Sequence, residues 1–195
     1  MLLCTNPMKT HRTRHLLLAM ATLLAIAPAG ATDGPVACLP GGGGHLQLEI
    51  SGDFTAQVDW DNAGTVCDGG PRPGGDALRL AFSREADELM VLVGITGLER
   101  GATGEGLLAN ITIVRQGMGR FYGTLGAHAC VVDVTENLSQ PGIEDGYRVS
   151  GQGRCAAGIE AIGRPGEIRV SPFEFTGMAW WPETDEPDEP DGPRP

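Results

Sequence analysis

The sequence predicts an all-β fold, a single antiparallel β-sandwich, with a small lipocalin-like β-barrel as the alternative. Three observations favour this class. Apolar and polar residues alternate with period two in many segments, which is the pattern of half-buried strands. Clusters of turn-forming residues separate most of these segments. The chain also contains 30 glycines and 14 prolines, which argues against long helices.

The alternating segments define the expected strands in chain order. The first four have their apolar positions at Leu46-Leu48-Ile50, Phe54-Ala56-Val58, Leu78-Leu80-Phe82 and Leu89-Val91-Val93. Further strands are expected at residues 108–115, 119–124, 130–135, 147–150, 167–170 and 173–180. Only residues 155–162 have the composition of a short helix. Strands that are joined by turns and alternate in this way are typical of a sandwich.

The turn between the first two strands admits more than one geometry. A two-residue turn at Gly52-Asp53 would place apolar residues opposite polar ones. A three-residue turn over residues 51–53 pairs Ile50 with Phe54 and Leu48 with Ala56, which keeps apolar residues together. We therefore expect a bulged hairpin or one bent strand here.

Composition divides the chain into four parts. Residues 1–31 have the pattern of a signal peptide, residues 32–44 form a Gly/Pro-rich lead-in, residues 45–181 form one β-rich domain, and residues 182–195 form an acidic Pro-rich tail. A body of this length buries about two-thirds of its unfolded surface around a single core. No internal linker divides it, so one domain is expected.

The N-terminal segment predicts export. A basic region from Lys9 to His15 precedes an apolar run from Leu16 to Ala27, and the small residues that follow predict cleavage after Ala31. The apolar run is shorter than the roughly 20 residues of a membrane-spanning helix, so no transmembrane anchor is expected. Translation could start at Met1 or Met8. The near absence of lysine favours a GC-rich bacterium, and hence a periplasmic or secreted location.

A lipid anchor at Cys38 is not expected. The sequence Val36-Ala37-Cys38 resembles the end of a lipobox, but Pro35 occupies the position that this motif gives to leucine. Asp33 and other residues also separate Cys38 from the apolar run, whereas the signal peptidase for lipoproteins cuts beside the membrane.

The cysteine count predicts two disulfides in the exported form. Cys4 leaves with the signal peptide, and four cysteines remain, which allow three connectivities. Cys130 and Cys155 lie at matching ends of two strand-like segments, so a hairpin would bring them together. The favoured pairs are therefore Cys130 with Cys155 and, by elimination, Cys38 with Cys67. Metal ligation is disfavoured because no Cys-x-x-Cys spacing is present.

The charge of the exported form restricts its partners. All 25 acidic residues follow residue 31, against 11 arginines and no lysine, which leaves a formal charge of −14. Nucleic acid is excluded as a partner because its phosphates would be repelled. A basic protein partner is the kind that this charge would attract.

The sequence predicts no catalytic, cofactor or metal site. A phosphate-binding loop of the Gly-x-x-x-x-Gly-Lys type needs a lysine, and no serine lies in a Gly-x-Ser-x-Gly motif. His45 and His128 are the only histidines of the exported form. The segment from Asp59 to Gly64 begins like a calcium loop, but Gly70 stands where the closing carboxylate is required.

Three tryptophans are candidate ligand contacts. Trp60, Trp180 and Trp181 could stack on a carbohydrate or anchor a partner, as aromatic rings of exported β-proteins do. Trp180 and Trp181 are adjacent, so in a strand their side chains point to opposite faces and one of them is expected in the core.

The function that these features favour is that of a non-catalytic envelope or secreted protein that binds a partner or has a structural role. One alternative is a hydrolase of carbohydrate that uses Glu85, Asp87 and Glu88, in a loop near Trp60. A second is a small-ligand carrier with a cavity inside a barrel. The acidic tail is expected to be disordered, either as a solvated terminus or as a calcium buffer or docking segment for a basic partner.

Overall fold

Antiparallel strands make up nearly all of the regular structure of the protein, so the predicted all-β class is confirmed. The computed structural model describes residues 37–73, 77–124 and 129–182, all within the unit Asp33–Pro195. The described residues do not include the predicted signal peptide, which contains Cys4. They also do not include His128 or the tail beyond Pro182. Within the described ranges, no helix is long and apolar enough to cross a membrane.

Short turns connect the strands along the chain. The strands found in the described residues are β1 (His45–Gly52), β2 (Ala56–Trp60), β3 (Val66–Pro71), β4 (Ala77–Arg84), β5 (Leu89–Thr96), β6 (Gly104–Arg115), β7 (Arg120–Gly123), β8 (Cys130–Ser139), β9 (Gly146–Cys155), β10 (Ile159–Ala161), β11 (Glu167–Val170) and β12 (Phe173–Trp180). Single 3₁₀ turns, Glu85–Asp87 and Gln116–Met118, lie between β4 and β5 and between β6 and β7.

Two strands hold the assembly together because each of them pairs with two partners along one edge. β6 pairs with β8 through its first half and with β7 through its second half. β1 pairs in the same way with β12 and then with β11. These two forks close a hydrogen-bonded ring of strands in the order β6-β7-β10-β11-β1-β12-β9-β8.

The remaining strands extend from the ring and produce two layers. β5, β4 and β3 follow one another from the free edge of β6, and β2 pairs with the free edge of β1. We call β3-β4-β5-β6 the first layer and β2-β1-β12-β9-β8 the second layer. Phe82 of the first layer meets Phe175 of the second edge to face, with ring centroids 6.3 Å apart. The architecture thus combines the layers of a sandwich with the closed pairing of a barrel.

The period-two alternation correctly identifies the residues of the core. The apolar positions of β1, β4 and β5 that the pattern selects are all buried, and the polar residues between Leu46, Leu48 and Ile50 are exposed. Burial of each such side chain stabilises the fold by about 1.5–3 kcal/mol. The largest fully buried side chains fill the interior: Tyr122, Phe82, Phe173 and Phe175.

Glycines inside β9 and β12 make room for these rings. Gly153 lies opposite Phe173 on the neighbouring strand, and Gly151 lies opposite Phe175. A Cβ atom on Gly151 would lie 2.9 Å from the ring of Phe175, and one on Gly177 would lie 2.8 Å from the ring of Phe82. Large rings therefore occupy the volume that side chains at the glycine positions would need.

Two short strands were not predicted from the sequence, and the one segment with the composition of a short helix is not helical. Residues 155–162 do not form a helix, because Cys155 ends β9 and Ile159–Ala161 forms β10. β3 was not predicted, since it ends in Gly69-Gly70-Pro71 and lacks an alternating apolar pattern. Among the described residues, β3 pairs with one strand, β4, and a sheet edge tolerates glycine and proline.

The turn between β1 and β2 is longer than predicted. The three-residue turn would have paired Ile50 with Phe54, but the structure pairs Ile50 with Ala56 and Leu48 with Val58. The shift is of two residues, so apolar residues still face the core. The turn is longer because β1 continues past Ile50 in order to pair with β11.

Both predicted disulfides are present, Cys38–Cys67 and Cys130–Cys155. The second joins directly paired positions of β8 and β9. The first links the lead-in to β3. The lead-in also donates hydrogen bonds to, and accepts one from, the side chain of Asn62. The Oδ1 of Asn62 accepts from the backbone N–H of Leu39 and of Gly44, both at 2.9 Å, and its Nδ2 donates to the carbonyl of Leu39 at 3.1 Å.

Candidate functional site

A row of polar side chains crosses the outer face of the second layer. In the strand register, Gln47 lies opposite Asp59 on β2 and opposite Glu174 on β12. Glu174 in turn lies opposite Gln152, which lies opposite Asp133 on β8. Directly opposed residues point to the same face, and strands are about 4.8 Å apart. We call these five residues the acid–amide row, which in spatial order is Asp59, Gln47, Glu174, Gln152 and Asp133.

Strand alternation explains why these side chains point outward. Gln47 lies between the buried residues Leu46 and Leu48, and Glu174 lies between Phe173 and Phe175. Period two sends every second side chain to the opposite face. The apolar neighbours therefore occupy the core, and the acids and amides reach solvent.

The fork in β1 opens a cleft beside the row. β1 pairs with β12 up to Gln47 and with β11 from Ile50 onward, and Pro172, which has no backbone N–H, lies between β11 and β12. Ser171 holds the fork, because its N–H donates to the carbonyl of Glu49 at 2.9 Å and its hydroxyl accepts from the N–H of Glu49 at 2.9 Å. The cleft has a volume of about 450 Å³.

The cleft has a strong excess of negative charge. Four carboxylates line it, from Glu49, Asp59, Asp133 and Glu174, against the single guanidinium of Arg154. Asp133 has one oxygen engaged, because Oδ1 accepts from the backbone N–H of Gly106 at 2.7 Å. The amides between the acids offer both donors and acceptors. This arrangement can bind cationic groups and polar backbone.

The tryptophans predicted as ligand contacts lie away from this cleft. Trp60 is buried, and its Nε1 donates a hydrogen bond to Asp87 at 2.6 Å. Trp181 is 8% exposed and packs edge to face on Tyr147, with centroids 5.5 Å apart, whereas Trp180 is 43% exposed. The expected opposite orientation of the adjacent pair is thus observed, and Trp180 is the one that a ligand can reach.

The loop carboxylates of the hydrolase alternative are engaged in local contacts. Asp87 accepts the indole hydrogen bond of Trp60. The carboxylate of Glu88 lies over Gly117, which has no side chain in its way. Neither group faces a second carboxylate across the cleft described above, whose lining includes none of Glu85, Asp87 and Glu88.

The segment that begins like a calcium loop has a structural role. Asp61 forms an ion pair with Arg84 at 2.7 Å, and Arg84 also donates to the carbonyl of Ala63. Asn62 holds the lead-in. Among the described residues, no group of three or more His, Cys, Asp or Glu side chains is arranged to hold a metal ion.

A second polar cluster lies at the β1–β2 turn. Asp53 accepts a hydrogen bond from Arg120 at 3.0 Å and another from the hydroxyl of Tyr122 at 3.4 Å. Burial raises the pKa of the Tyr122 phenol above its usual value of 10.0, the positive charge of Arg120 opposes this rise, and Asp53 adds to it. The ring of Phe54 packs on Tyr122, with centroids 5.5 Å apart. This cluster closes the core at the turn.

The sequence singles out only one member of the acid–amide row, Asp59, and for another role, as the first position of a calcium-like loop. The outward orientation of each residue follows from alternation, but the row exists only because five strands align in one register. Comparison with known proteins adds no assignment, because no protein-family model, curated protein or solved structure matches the chain.

Proposed function

We propose that the protein is an exported, non-catalytic binding protein that holds a basic protein segment on the acid–amide row. The observation that carries this proposal is the alignment of three carboxylates and two amides across five strands, beside a cleft of about 450 Å³. Lysine and arginine side chains of an extended partner would pair with the carboxylates, and the amides would bond its backbone.

The whole chain supports a basic partner. The exported form has a formal charge of −14, so a cationic segment is attracted before contact, over about the Debye length of 8 Å at physiological salt. A carbohydrate ligand has less support, because neither Trp60, Trp180 nor Trp181 lines the cleft, and sugar sites commonly use an aromatic platform.

Two disulfides and the absence of a membrane-spanning helix in the described residues fit a secreted or envelope protein. We propose a periplasmic or secreted location in a bacterium, because the N-terminal segment predicts export and the near absence of lysine favours a GC-rich bacterium. The carrier alternative has less support than binding at the surface, because Phe82, Tyr122, Phe173 and Phe175 fill the interior.

The test is binding of a synthetic octalysine peptide to the purified chain, measured by calorimetry at two salt concentrations. The variant Asp59→Asn/Glu174→Gln removes two charges of the row and keeps side-chain size. We expect affinity to fall about five- to thirtyfold, because each of the two exposed pairs contributes about 0.5–1 kcal/mol. Higher salt should weaken wild-type binding.

The matched control is Glu85→Gln/Glu160→Gln, two exposed acids away from the row. It has the same net charge as the row variant, so any general attraction, including that of the acidic tail, is equal in both proteins. Equal affinities of the two variants would show that the row is not the binding site. Binding of a length-matched neutral peptide as strong as that of octalysine would exclude a charge-selective site.

A further inference from the structure

A second cleft, on the outer face of the first layer, carries positive charge in this acidic protein. Its volume is about 500 Å³, and Arg72 and Arg79 line it. Arg79 lies between two glycines in the strand register, Gly70 on β3 and Gly94 on β5. Because Gly70 has no side chain, the face is recessed on that side of Arg79, whereas the amide of Asn110 lies over Gly94 on the other side.

The two arginines, Arg72 and Arg79, are among those of the described residues that form no ion pair. Within the described residues, Asp68 is the one acid that lines the cleft. The arginines that do form ion pairs with carboxylates are Arg84, Arg100, Arg120, Arg148 and Arg169. Two exposed guanidinium groups in one cleft form a site for carboxylates.

The chain leaves β12 at the rim of this cleft. A Cβ atom on Gly69 would lie 2.7 Å from the carbonyl oxygen of Met178, and one on Gly70 would lie 3.0 Å from that of Trp180. The end of β12 therefore runs beside β3, in the direction that leads from Gly70 to Arg72. Residues 183–195 follow directly, and they include six acids, four prolines and one arginine.

We propose that this cleft binds the chain's own acidic tail, residues 183–195, through Arg72 and Arg79. Glu183 is three residues beyond Trp180, a reach of about 10 Å for extended chain, while Arg79 is one strand, about 4.8 Å, from Gly70. Carboxylates beyond Glu183 reach Arg72. Proline has a fixed φ, so a proline-rich segment has less backbone entropy to lose on binding. Attachment gives the tail an effective concentration in the millimolar range.

The tail therefore acts as an internal competitor, and an acidic segment of another protein must displace it. The experiment uses two full-length chains, the wild type and a tail-neutral variant. The substitutions in that variant are Glu183→Gln, Asp185→Asn, Glu186→Gln, Asp188→Asn, Glu189→Gln and Asp191→Asn. A labelled peptide with the native sequence of residues 183–195 is the probe, and binding is followed by fluorescence anisotropy.

We expect the peptide to bind the tail-neutral variant at least tenfold more tightly than the wild type, and to be released by salt. In the tail-neutral chain, Arg79→Gln should weaken binding about tenfold, and Arg79→Lys should retain most of it because the charge is kept. Arg169→Gln is the control, since this exposed residue lies away from the cleft, and it should have no effect. Circular dichroism confirms that each variant is folded.

Three outcomes would overturn the proposal. Equal affinity of the peptide for the wild-type and tail-neutral chains would show that the tail does not occupy its site. An effect of Arg169→Gln as large as that of Arg79→Gln would show a general charge effect rather than a cleft. A wild-type dimer that dissociates when the tail is neutralised, measured by light scattering, would place the tail on a second copy of the chain.

Discussion

Removal of the Asn62 side chain tests how the lead-in is held to the domain. This side chain accepts from two backbone N–H groups and donates to one carbonyl, at distances of 2.9, 2.9 and 3.1 Å. A hydrogen bond of this kind contributes about 0.5–1.5 kcal/mol net, and an unpaired buried group costs about 1–3 kcal/mol. Leu39 is 1% exposed, but Asn62 itself is half-buried. Water can therefore reach part of the space that the removed side chain leaves.

Asn62→Ala should therefore lower the free energy of unfolding by about 2–3 kcal/mol. For a domain of this size, that corresponds to a fall in Tm of about 4–12 °C. The measurement is urea denaturation, with both disulfides intact, followed by tryptophan fluorescence. Hydrogen exchange should also become faster at the amides of Leu39 and Gly44 while the core amides keep their protection, because the loss is local.

Two further variants separate hydrogen bonding from other effects. Asn62→Asp keeps the acceptor and loses the donor, so its effect should be smaller than that of Asn62→Ala. Gln57→Ala removes an exposed amide in the same layer and should change stability by less than about 0.5 kcal/mol. A change below about 0.5 kcal/mol for Asn62→Ala, with unchanged exchange at Leu39, would refute the reasoning.

Three more predictions concern the core and the disulfides. Gly153→Ala should cost about 1–3 kcal/mol because the new methyl displaces a buried ring, whereas Gly41→Ala, with nothing within 4 Å, should not destabilise the protein; similar losses in urea titrations would contradict the packing argument. Tyr122 has a folded-state pKa above the unfolded value. Its contribution to the free energy of unfolding is therefore present below about pH 10 and is lost as pH rises through the folded pKa. Tyr122→Phe should reduce this alkaline loss of stability, and a pH profile of stability equal to that of the wild type would refute the prediction. Replacing Cys130 and Cys155 together by alanine should cost about 3 kcal/mol, because the bond closes a 25-residue span, and an unchanged denaturation midpoint would contradict this.

Local pattern was sufficient to predict most of the strands and much of the core. Alternation at Leu46-Leu48-Ile50 identified both a strand and its buried face, because the side-chain period of a strand is two. It missed β3, where Gly69-Gly70-Pro71 carries no pattern and only pairing with β4 produces a strand. The local pattern also predicted that Ile50 pairs with Phe54, whereas in the structure Ile50 pairs with Ala56. The two differ because β1 continues past Ile50 to pair with β11, which is distant in sequence.

The candidate site was the part that the sequence predicted least. Trp60 was selected for its aromatic ring, but whether a ring is buried depends on its neighbours, and here Asp87 binds its indole nitrogen. Gln47 and Glu174 carry no signal of a site in the sequence, since single outward polar residues are ordinary on strands. They become a site only because β1 and β12 lie side by side in register.

The sequence by itself determined the all-β class, the alternation of the core, and the preferred disulfide pairs, because each depends on residue type and spacing along the chain. Only the tertiary structure decided which strands are neighbours. That choice aligns Asp59 with Asp133 across five strands, closes the ring at β1 and β6, and brings the end of β12 beside the Arg79 cleft. Pairing between distant strands is set by the packing of the whole core, and no local pattern encodes it.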